Sequence, residues 1–157
     1  MRIREATGSD AEAISRLVSE LAREFLVGEL TEQGGANLLA SMSPAAVAQN
    51  LSAAFDWLVA EESSADGTRL VGVVGTRDDT HLYHLFVAAS HQRRGLARRL
   101  WGRARERCIE RSGTRRFTVN ASTYAQEVYA RLGFRPAGPV TERNGVVFHP
   151  MVLELDG

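Results

Sequence analysis

Residues 84–100 read HLFVAASHQRRGLARRL, and this stretch contains the feature that decides the fold. It begins with the character of a strand, passes through a short turn, and continues as a helix from about Gly95. The first amide groups of a helix have no partner inside it, and the helix dipole adds partial positive charge there. A glycine at this point lets a ligand approach the backbone closely. The junction therefore predicts a binding site for an anion such as a phosphate group.

Positive charge is concentrated around this junction. The chain has 19 basic and 19 acidic residues, every basic residue is an arginine, and the formal net charge is zero. Ten of the arginines but only two acids fall within residues 92–116, so this segment has a net charge of +8. Two interpretations fit this pattern. One is an anionic ligand bound beside the junction, and the other is a solvated helix face, because arginine is a good helix former.

The overall composition narrows the class of protein. A length of 157 residues with 44% apolar residues is typical of one globular domain, so we predict a single domain over residues 1–157. No apolar run is long enough to span a membrane, and the N-terminus lacks the apolar core of a secretory signal. Cys108 is the only cysteine, which excludes an internal disulfide and a multi-cysteine metal site. We therefore expect a cytoplasmic protein with no membrane partner and no metal.

The sequence pattern predicts an α/β fold with a mixed, mostly antiparallel sheet and helices on both faces. Hairpin signals occur at Asp66-Gly67 and Asn144-Gly145, and Gly34-Gly35 predicts a break between the first two helices. Two predicted strands are joined through a helix, so they should be parallel neighbours. These two strands are 81–88 and 115–121. The other predicted strands are 2–6, 56–62, 69–77, 134–140 and 146–155, and the predicted helices begin near Ser9, Ser43, Gly95 and Ser122.

Two motifs resemble one known family. The run Gln92-Arg93-Arg94-Gly95-Leu96-Ala97 resembles the Q/R-x-x-G-x-G/A motif with which GCN5-related N-acetyltransferases hold the pyrophosphate of coenzyme A. The Walker and Rossmann phosphate loops do not occur. Downstream, VNASTYAQEVYARLGF at 119–134 is similar to that family's cofactor-side strand, its helix and its Tyr-x-x-x-Gly-Phe ending. The element order agrees from residue 2 to 155, and Ala97 replaces the glycine that many members have.

The resemblance implies an acetyl-CoA-dependent N-acetyltransferase that transfers the acetyl group directly to a primary amine, in a small molecule or a peptide. It implies that the two parallel strands separate beyond a bulge and that the pantetheine arm of coenzyme A fills the gap. It also allows a homodimer, for which the sequence indicates no interface. The residues that it assigns to the cofactor are Leu85, Phe86, Val87, Gln92, Arg93, Arg94, Gly95, Leu96, Ala97, Arg98, Asn120, Tyr124 and Tyr129.

Tyr129 is the candidate general acid. The resemblance places it near the thioester sulfur, and a phenol with a pKa of about 10 is protonated at neutral pH. The alternative is a core tyrosine that packs beside Leu132. Tyr124 precedes it on the same predicted helix and is expected to pack or to contact the cofactor. Cys108 lies on the apolar stripe of its helix, so we expect a buried, inert thiol and no acyl-cysteine intermediate.

His81 is the candidate general base. Strand alternation predicts that it shares one face with Tyr83, Leu85 and Val87, whereas His84 points the other way. Histidine titrates near neutral pH and can take a proton directly or through water. The alternative is an exposed histidine at the start of a strand. His149 is a further candidate for contact with the acceptor.

The sequence does not identify the acceptor amine. Its choice is expected to depend on the first two helices, on the loop 26–42, where Glu29 and Glu32 suit a cationic amine, and on the final hairpin. Two other classes of protein also fit the sequence. One is an inactive acetyl-CoA-binding sensor on the same fold. The other is an arginine-rich nucleic-acid-binding module, which is disfavoured because Trp101 is the only aromatic residue among the arginines and no nucleic-acid motif is present. We therefore expect no nucleic-acid partner.

Overall fold

The computed structural model describes residues 1–52 and 54–156, and in this part of the chain the strands form one connected arrangement. The strands are β1 (Arg2–Glu5), β2 (Phe55–Ser64), β3 (Gly67–Arg77), β4 (His81–Val87), β5 (Arg116–Ala121), β6 (Arg135–Pro136), β7 (Thr141–Arg143) and β8 (Val146–Glu154). They are ordered β1-β2-β3-β4-β5-β8-β6, with β7 paired to β8. All pairs are antiparallel except β4 with β5. This confirms the mixed, mostly antiparallel sheet predicted from the sequence.

Helices cover both faces of the sheet. On one face, which we name the α4 face, helices α4 and α5 pack around a core that includes Trp101 and Phe117. On the opposite face, which we name the α1 face, helices α1 and α3 pack around a core that includes Ile14 and Trp57. The helices are α1 (Ala11–Phe25), α2 (Glu32–Ser41), α3 (Pro44–Leu51), α4 (Leu96–Ser112) and α5 (Gln126–Arg131).

The parallel strands β4 and β5 pair over only a short length. His81 lies opposite Thr118, and Leu82 lies opposite Val119. In the described residues, the two strands share no paired position from Tyr83 onward. The predicted parallel, splayed strand pair is therefore confirmed. Its short pairing leaves a gap between the C-terminal ends of β4 and β5.

A β-bulge at Tyr83 changes which residues of β4 share a face. The register between β3 and β4 shifts at this point, so Tyr83 has no partner on β3. Tyr83 packs against the core of the α1 face, and its ring centroid lies 4.3 Å from that of His84. Leu85 and Val87 instead pack into the core of the α4 face. The prediction that His81, Tyr83, Leu85 and Val87 share one face is wrong, because strict alternation fails at the bulge.

Helix α2 continues through Gly34 and Gly35, where the sequence predicts a break. The Thr31 side chain caps the helix by accepting a hydrogen bond from the Gly34 amide. Both glycines are buried in close contacts: a Cβ on Gly34 would collide with the Gly145 carbonyl, and a Cβ on Gly35 would lie 2.8 Å from a side-chain carbon of Val27. The predicted break is wrong because these tertiary contacts outweigh the low helix propensity of glycine.

The chain before the final hairpin is less regular than predicted. The turn at Asn144-Gly145 is confirmed, and both of its residues have positive φ. However, β7 spans Thr141–Arg143, and only Arg135–Pro136 of the predicted strand 134–140 is extended and paired. Proline has no amide donor for a ladder, so Pro139 prevents a continuous strand there. The hairpin is thus short, and its turn contacts α2 through a hydrogen bond from Asn37 to the Asn144 carbonyl.

Candidate active site

The junction between β4 and α4 is open beside Gly95. This residue caps α4 with a φ of +82°, and no described residue lies within 4 Å of the position that its Cβ would occupy. Behind it, the Gln92 side chain donates a hydrogen bond of 3.0 Å to the Val87 carbonyl and closes the turn. Arg93 also has a positive φ, of 64°, which costs energy for a residue with a Cβ. The backbone is therefore held in a shape that presents the first amides of α4 to a ligand.

Four arginines surround these amides. All four are exposed, and no ion pair within residues 1–52 and 54–156 involves them. Arg98 donates one hydrogen bond of 3.0 Å to the Arg131 carbonyl, which leaves other guanidinium donors for a ligand. Their charge adds to that of the helix end. The four are Arg93, Arg94, Arg98 and Arg99.

The arginines at the other end of α4 have a structural role. Arg107 donates to Asp56 over 2.7 Å, and Arg111 donates to Asp79 over 2.8 Å and to Asp56 over 3.0 Å. Burial raises the pKa of the Asp56 carboxyl, but the two guanidinium groups outweigh this effect and hold the pKa below its usual range. The positive charge of residues 92–116 is therefore not all directed at the junction, and part of it ties α4 to the sheet.

A second interaction anchors the turn before the junction, and the sequence analysis missed it. His91 is buried, and its Nε2 lies 2.7 Å from a carboxylate oxygen of Glu62 on β2. Its Nδ1 lies 2.8 Å from the Ser90 hydroxyl. The hydrogen bond from His91 is the main reason that the pKa of Glu62 is lowered. The two residues are 29 positions apart, and no local pattern in the sequence connects them.

One edge of β4 borders the gap. Leu85, Phe86 and Val87 pair with β3 on one side, and in the described residues they have no partner on β5. Alternate backbone N–H and C=O groups along such an edge point to the unpaired side. An extended ligand can therefore pair with β4 as an additional strand would. The three residues assigned to the cofactor on β4 all lie at this edge.

Tyr129 lies on the α4 face in the core that borders the gap. It is 7% exposed and belongs to the same core as Val87 of β4 and Ala121 of β5. Its ring meets Phe134 edge to face, with centroids 5.8 Å apart, and Leu132 packs against the same core. Burial raises the pKa of the Tyr129 phenol above its usual range. The side chain is thus both a core residue and a phenol that stays protonated at neutral pH.

His81 lies at the paired end of the β4–β5 pair. Its Nδ1 is 2.8 Å from the Thr118 hydroxyl. Because Leu82 packs into the core of the α4 face, alternation places His81 on the α1 face. Burial, together with the charge of Arg77, lowers the pKa of His81 to about 4. The structure therefore holds His81 neutral and places it on the opposite face of the sheet from Tyr129.

Three candidate residues, Asn120, Tyr124 and His149, lie at or next to the C-terminal end of β5. Asn120 is exposed and is the second-to-last residue of β5. Tyr124 is 43% exposed and stacks on Phe25 at the end of α1, with centroids 4.8 Å apart and planes inclined by 17°. The His149 Nε2 lies 2.9 Å from the Thr123 hydroxyl. The C-terminal end of α1 is thereby brought beside the open end of β5.

The apolar stripe of α4 is buried as predicted. Leu96 and Cys108 belong to the core of the α4 face, and Ala97 packs against it. Leu96 and Ala97 can therefore offer a ligand mainly their backbone. Burial raises the pKa of the Cys108 thiol, whose Sγ lies 3.6 Å from the Thr76 hydroxyl. This environment is that of an inert thiol.

In residues 1–52 and 54–156, histidine, cysteine and acidic side chains form no group of three that could hold a metal ion. Among the helices that the structure describes, none combines the length and the apolar character that crossing a membrane requires.

Comparison of the sequence with known proteins gives one family match. The family model described as an acetyltransferase (GNAT) domain matches residues 26–155. This range includes the junction, both strands that border the gap, and the final hairpin. No curated protein matches the sequence.

Comparison with solved structures shows the same fold in several proteins. A GCN5-related N-acetyltransferase from Rhodopseudomonas palustris has a TM-score of 0.82 and 21% identity, with 98% of this chain and 95% of that chain covered. The PaiA N-acetyltransferase from Thermoplasma acidophilum, solved with coenzyme A, has a TM-score of 0.77 and 15% identity, with 98% of each chain covered. A mutant of the spermidine N-acetyltransferase from Vibrio cholerae has a TM-score of 0.62 and 16% identity, with coverages of 98% and 95%.

Proposed function

Because the chain belongs to the GNAT acetyltransferase family, we propose that it is an N-acetyltransferase that moves the acetyl group of acetyl-CoA to a primary amine by direct attack. One observation carries this proposal: the gap between β4 and β5 runs from the end of their pairing along β4 toward the N-terminal end of α4, and it borders the core that contains Tyr129. We treat residues 1–157 as one acetyltransferase domain that acts in the cytoplasm, alone or as a homodimer.

The residues around the junction fit the pyrophosphate of acetyl-CoA. A side chain at position 95 would fill the open space beside Gly95, which glycine leaves to the ligand. The backbone amides of Leu96, Ala97 and Arg98 would donate to the phosphate oxygens, because a helix end leaves its first amides without partners. Charge would come from Arg93, Arg94 and Arg98, with Gln92 holding the turn in place.

The gap fits the pantetheine arm. The free edge of β4 at Leu85, Phe86 and Val87 offers hydrogen bonds to the amides of the arm. Asn120 at the end of β5 and the exposed ring of Tyr124 would contact the arm from the other side. The arm would direct the thioester toward the bulge on β4, where an unpaired backbone amide can stabilise the negative charge that develops on the carbonyl oxygen.

The transfer itself needs two proton movements. The amine nitrogen forms a bond to the thioester carbonyl carbon, the carbon–sulfur bond breaks, the nitrogen loses a proton and the sulfur gains one. Tyr129 fits the role of proton donor to sulfur because burial keeps its phenol protonated. His81 is neutral at pH 7 but holds a proton weakly, since its pKa is lowered to about 4. It therefore fits a role in orienting the amine, or a water molecule that accepts the proton, better than a role as the final acceptor.

An inactive acetyl-CoA-binding sensor is the second candidate. The observation that favours it is the weak basicity of His81, whose Nδ1 is also engaged with Thr118. A nucleic-acid-binding module loses support, because Arg107 and Arg111 are neutralised by carboxylates of the same chain. We therefore propose no nucleic-acid partner.

Release of free thiol from acetyl-CoA tests the proposed activity. The protein is incubated with acetyl-CoA and with a polyamine, an aminoglycoside, an amino acid or a short peptide, and thiol is measured against a reaction without amine. We expect release that depends on at least one amine and a product that carries one acetyl group by mass spectrometry. If acetyl-CoA binds but none of these amines causes thiol release, the result would favour the sensor.

A further inference from the structure

Helix α2 is fastened to the turn of the β7–β8 hairpin, far from it in sequence. The Asn37 side chain donates a hydrogen bond of 2.7 Å to the Asn144 carbonyl. Next to this bond the two backbones touch, since a Cβ on Gly145 would lie 2.7 Å from the Gly34 Cα. Gly145 has a φ of +78°, a conformation that favours glycine. We name this contact, formed by Gly34, Asn37, Asn144 and Gly145, the clasp.

The clasp lies beyond the open end of β5. Strand β8 is antiparallel to β5, and His149 lies opposite Ala121, the last residue of β5. The preceding residues of β8 and the hairpin turn therefore extend past the end of β5, on the side where the gap is open. Alternation along β5 directs Asn120 to the α1 face, because Ala121 packs into the core of the α4 face.

A second contact closes the same region from the other side. The stacked rings of Phe25 and Tyr124 join the end of α1 to the loop after β5. From Phe25 the chain continues through residues 26–31 into α2, and the first two turns of α2 form the clasp with the hairpin. The route from α1 through α2, the hairpin and β8 to the loop after β5 is thus a closed ring, made of covalent chain, these two contacts and the pairing of β8 with β5.

This ring limits which amines can reach the thioester, and the inference rests on the proposed acetyltransferase function. We propose that the clasp makes the α1-side approach to the thioester a bounded opening that admits small cationic amines and discriminates against an amine within a polypeptide. A polypeptide segment has to lie along an open groove, since its chain leaves the site in both directions. Three acids on the ring make no ion pair in the described residues and suit a cation; they are Glu29, Glu32 and Glu142.

Opening the clasp tests this selectivity. Gly34→Ala forces α2 away from the hairpin, because the new Cβ would collide with the Gly145 carbonyl. Asn37→Ala removes the hydrogen bond to Asn144 without adding an atom, so it serves as the milder variant if Gly34→Ala folds poorly. Gly28→Ala is the matched control, since Gly28 lies in the segment that leads into α2 and none of the described residues is within 4 Å of its Cβ position. Each protein is assayed with spermidine and with an N-terminally blocked peptide that contains one lysine.

We expect wild type and Gly28→Ala to prefer spermidine. Asn37→Ala should lower the ratio of kcat/KM for spermidine over the peptide by about fivefold or more, with the KM for acetyl-CoA unchanged. An unchanged ratio in the folded Asn37→Ala and Gly34→Ala variants, or a wild-type preference for the peptide, would overturn the role of the clasp alone. Absence of thiol release by wild type with spermidine, with the peptide and with the aminoglycoside and amino acid named above, despite binding of acetyl-CoA, would instead overturn the proposed function.

Discussion

His84 is enclosed by aromatic rings and takes no part in the proposed chemistry. Its ring centroid lies 5.6 Å from that of Trp57 and 5.2 Å from that of Phe86. Burial lowers its pKa from 6.5 to about 4. The folded protein therefore keeps His84 neutral at a pH where the unfolded chain binds a proton. Its contribution to stability is present above about pH 6.5 and is lost as the pH falls toward 4.

This linkage predicts an acid-sensitive fold. The free energy of unfolding of wild type should fall between about pH 7 and pH 4, and His84 should account for up to roughly 3 kcal/mol of the fall. His84→Gln cannot titrate, so it should show a smaller loss. Urea unfolding of both proteins at several pH values measures the difference. Equal pH dependence in the two proteins would show that His84 is not held neutral.

Tyr129 carries the proposed proton transfer to sulfur. Tyr129→Phe keeps the ring that packs against Phe134 and removes only the hydroxyl. We expect kcat to fall by about 10²–10⁴-fold with little change in the KM for acetyl-CoA. Tyr83→Phe is the matched control, because Tyr83 packs on the other face against Phe55. Steady-state kinetics with saturating amine measures kcat for both variants. If Tyr129→Phe and Tyr83→Phe both kept the wild-type kcat, Tyr129 would have no role as the proton donor.

Sequence alone located residues whose environment is local and missed those defined by distant partners. Gly95 could be found because a strand, a turn and a helix follow one another around it. The link between His91 and Glu62 could not be found, since it joins β2 to the turn after β4. The face of Tyr83 was predicted wrongly because a bulge depends on the register of the neighbouring strand.

At the scale of elements, α4 has a glycine in a left-handed conformation at each end. Gly95 precedes its first residue and Gly113 follows its last, with φ of +82° and +71°. Among the residues that the structure describes, none lies within 4 Å of the Cβ position of either glycine. Alanine at either site should therefore cost a similar backbone strain, about 1 kcal/mol. The two sites differ in their relation to the ligand, because Gly95 at the N-terminal end faces the proposed phosphate site and Gly113 lies at the C-terminal end of α4.

This symmetry provides a controlled test of the phosphate site. Gly95→Ala should weaken binding of acetyl-CoA at least about tenfold, since its Cβ occupies the space of the ligand. Gly113→Ala should lose comparable stability and bind acetyl-CoA like wild type. Titration calorimetry measures both affinities, and thermal unfolding of the free proteins measures the strain. Equal affinities in the two variants would contradict a phosphate site at this helix end.

The elements that the sequence predicted poorly are those shaped by contacts far along the chain. The run through Gly34 and Gly35 has poor helix propensity, yet it is helical because Gly34 docks on Gly145. The strong amphipathic pattern of α1 and the capped start of α3 at Ser43-Pro44 were predictable, because both signals are local. The clasp itself was therefore beyond the reach of the sequence pattern.

At the scale of the whole molecule, the mixed sheet and its parallel pair were predictable from connection rules. The extent of the gap was not, because it depends on where pairing between β4 and β5 stops. The charge pattern was only partly informative. Asp56 lies outside the arginine-rich segment yet binds two of its arginines, so net charge along the chain overstated the positive field at the junction.

The most direct test of the central claim is thermal unfolding of the protein with and without acetyl-CoA, with ATP and NAD as controls. We expect acetyl-CoA to raise the Tm selectively, because a ligand at about 100 times its Kd adds roughly 2.7 kcal/mol to the free energy of unfolding. ATP and NAD share the phosphate groups but lack the pantetheine arm that the gap is proposed to hold, so they should raise the Tm much less. An unchanged Tm at millimolar acetyl-CoA, or equal shifts with all three compounds, would contradict the assignment of the junction and the gap to acetyl-CoA.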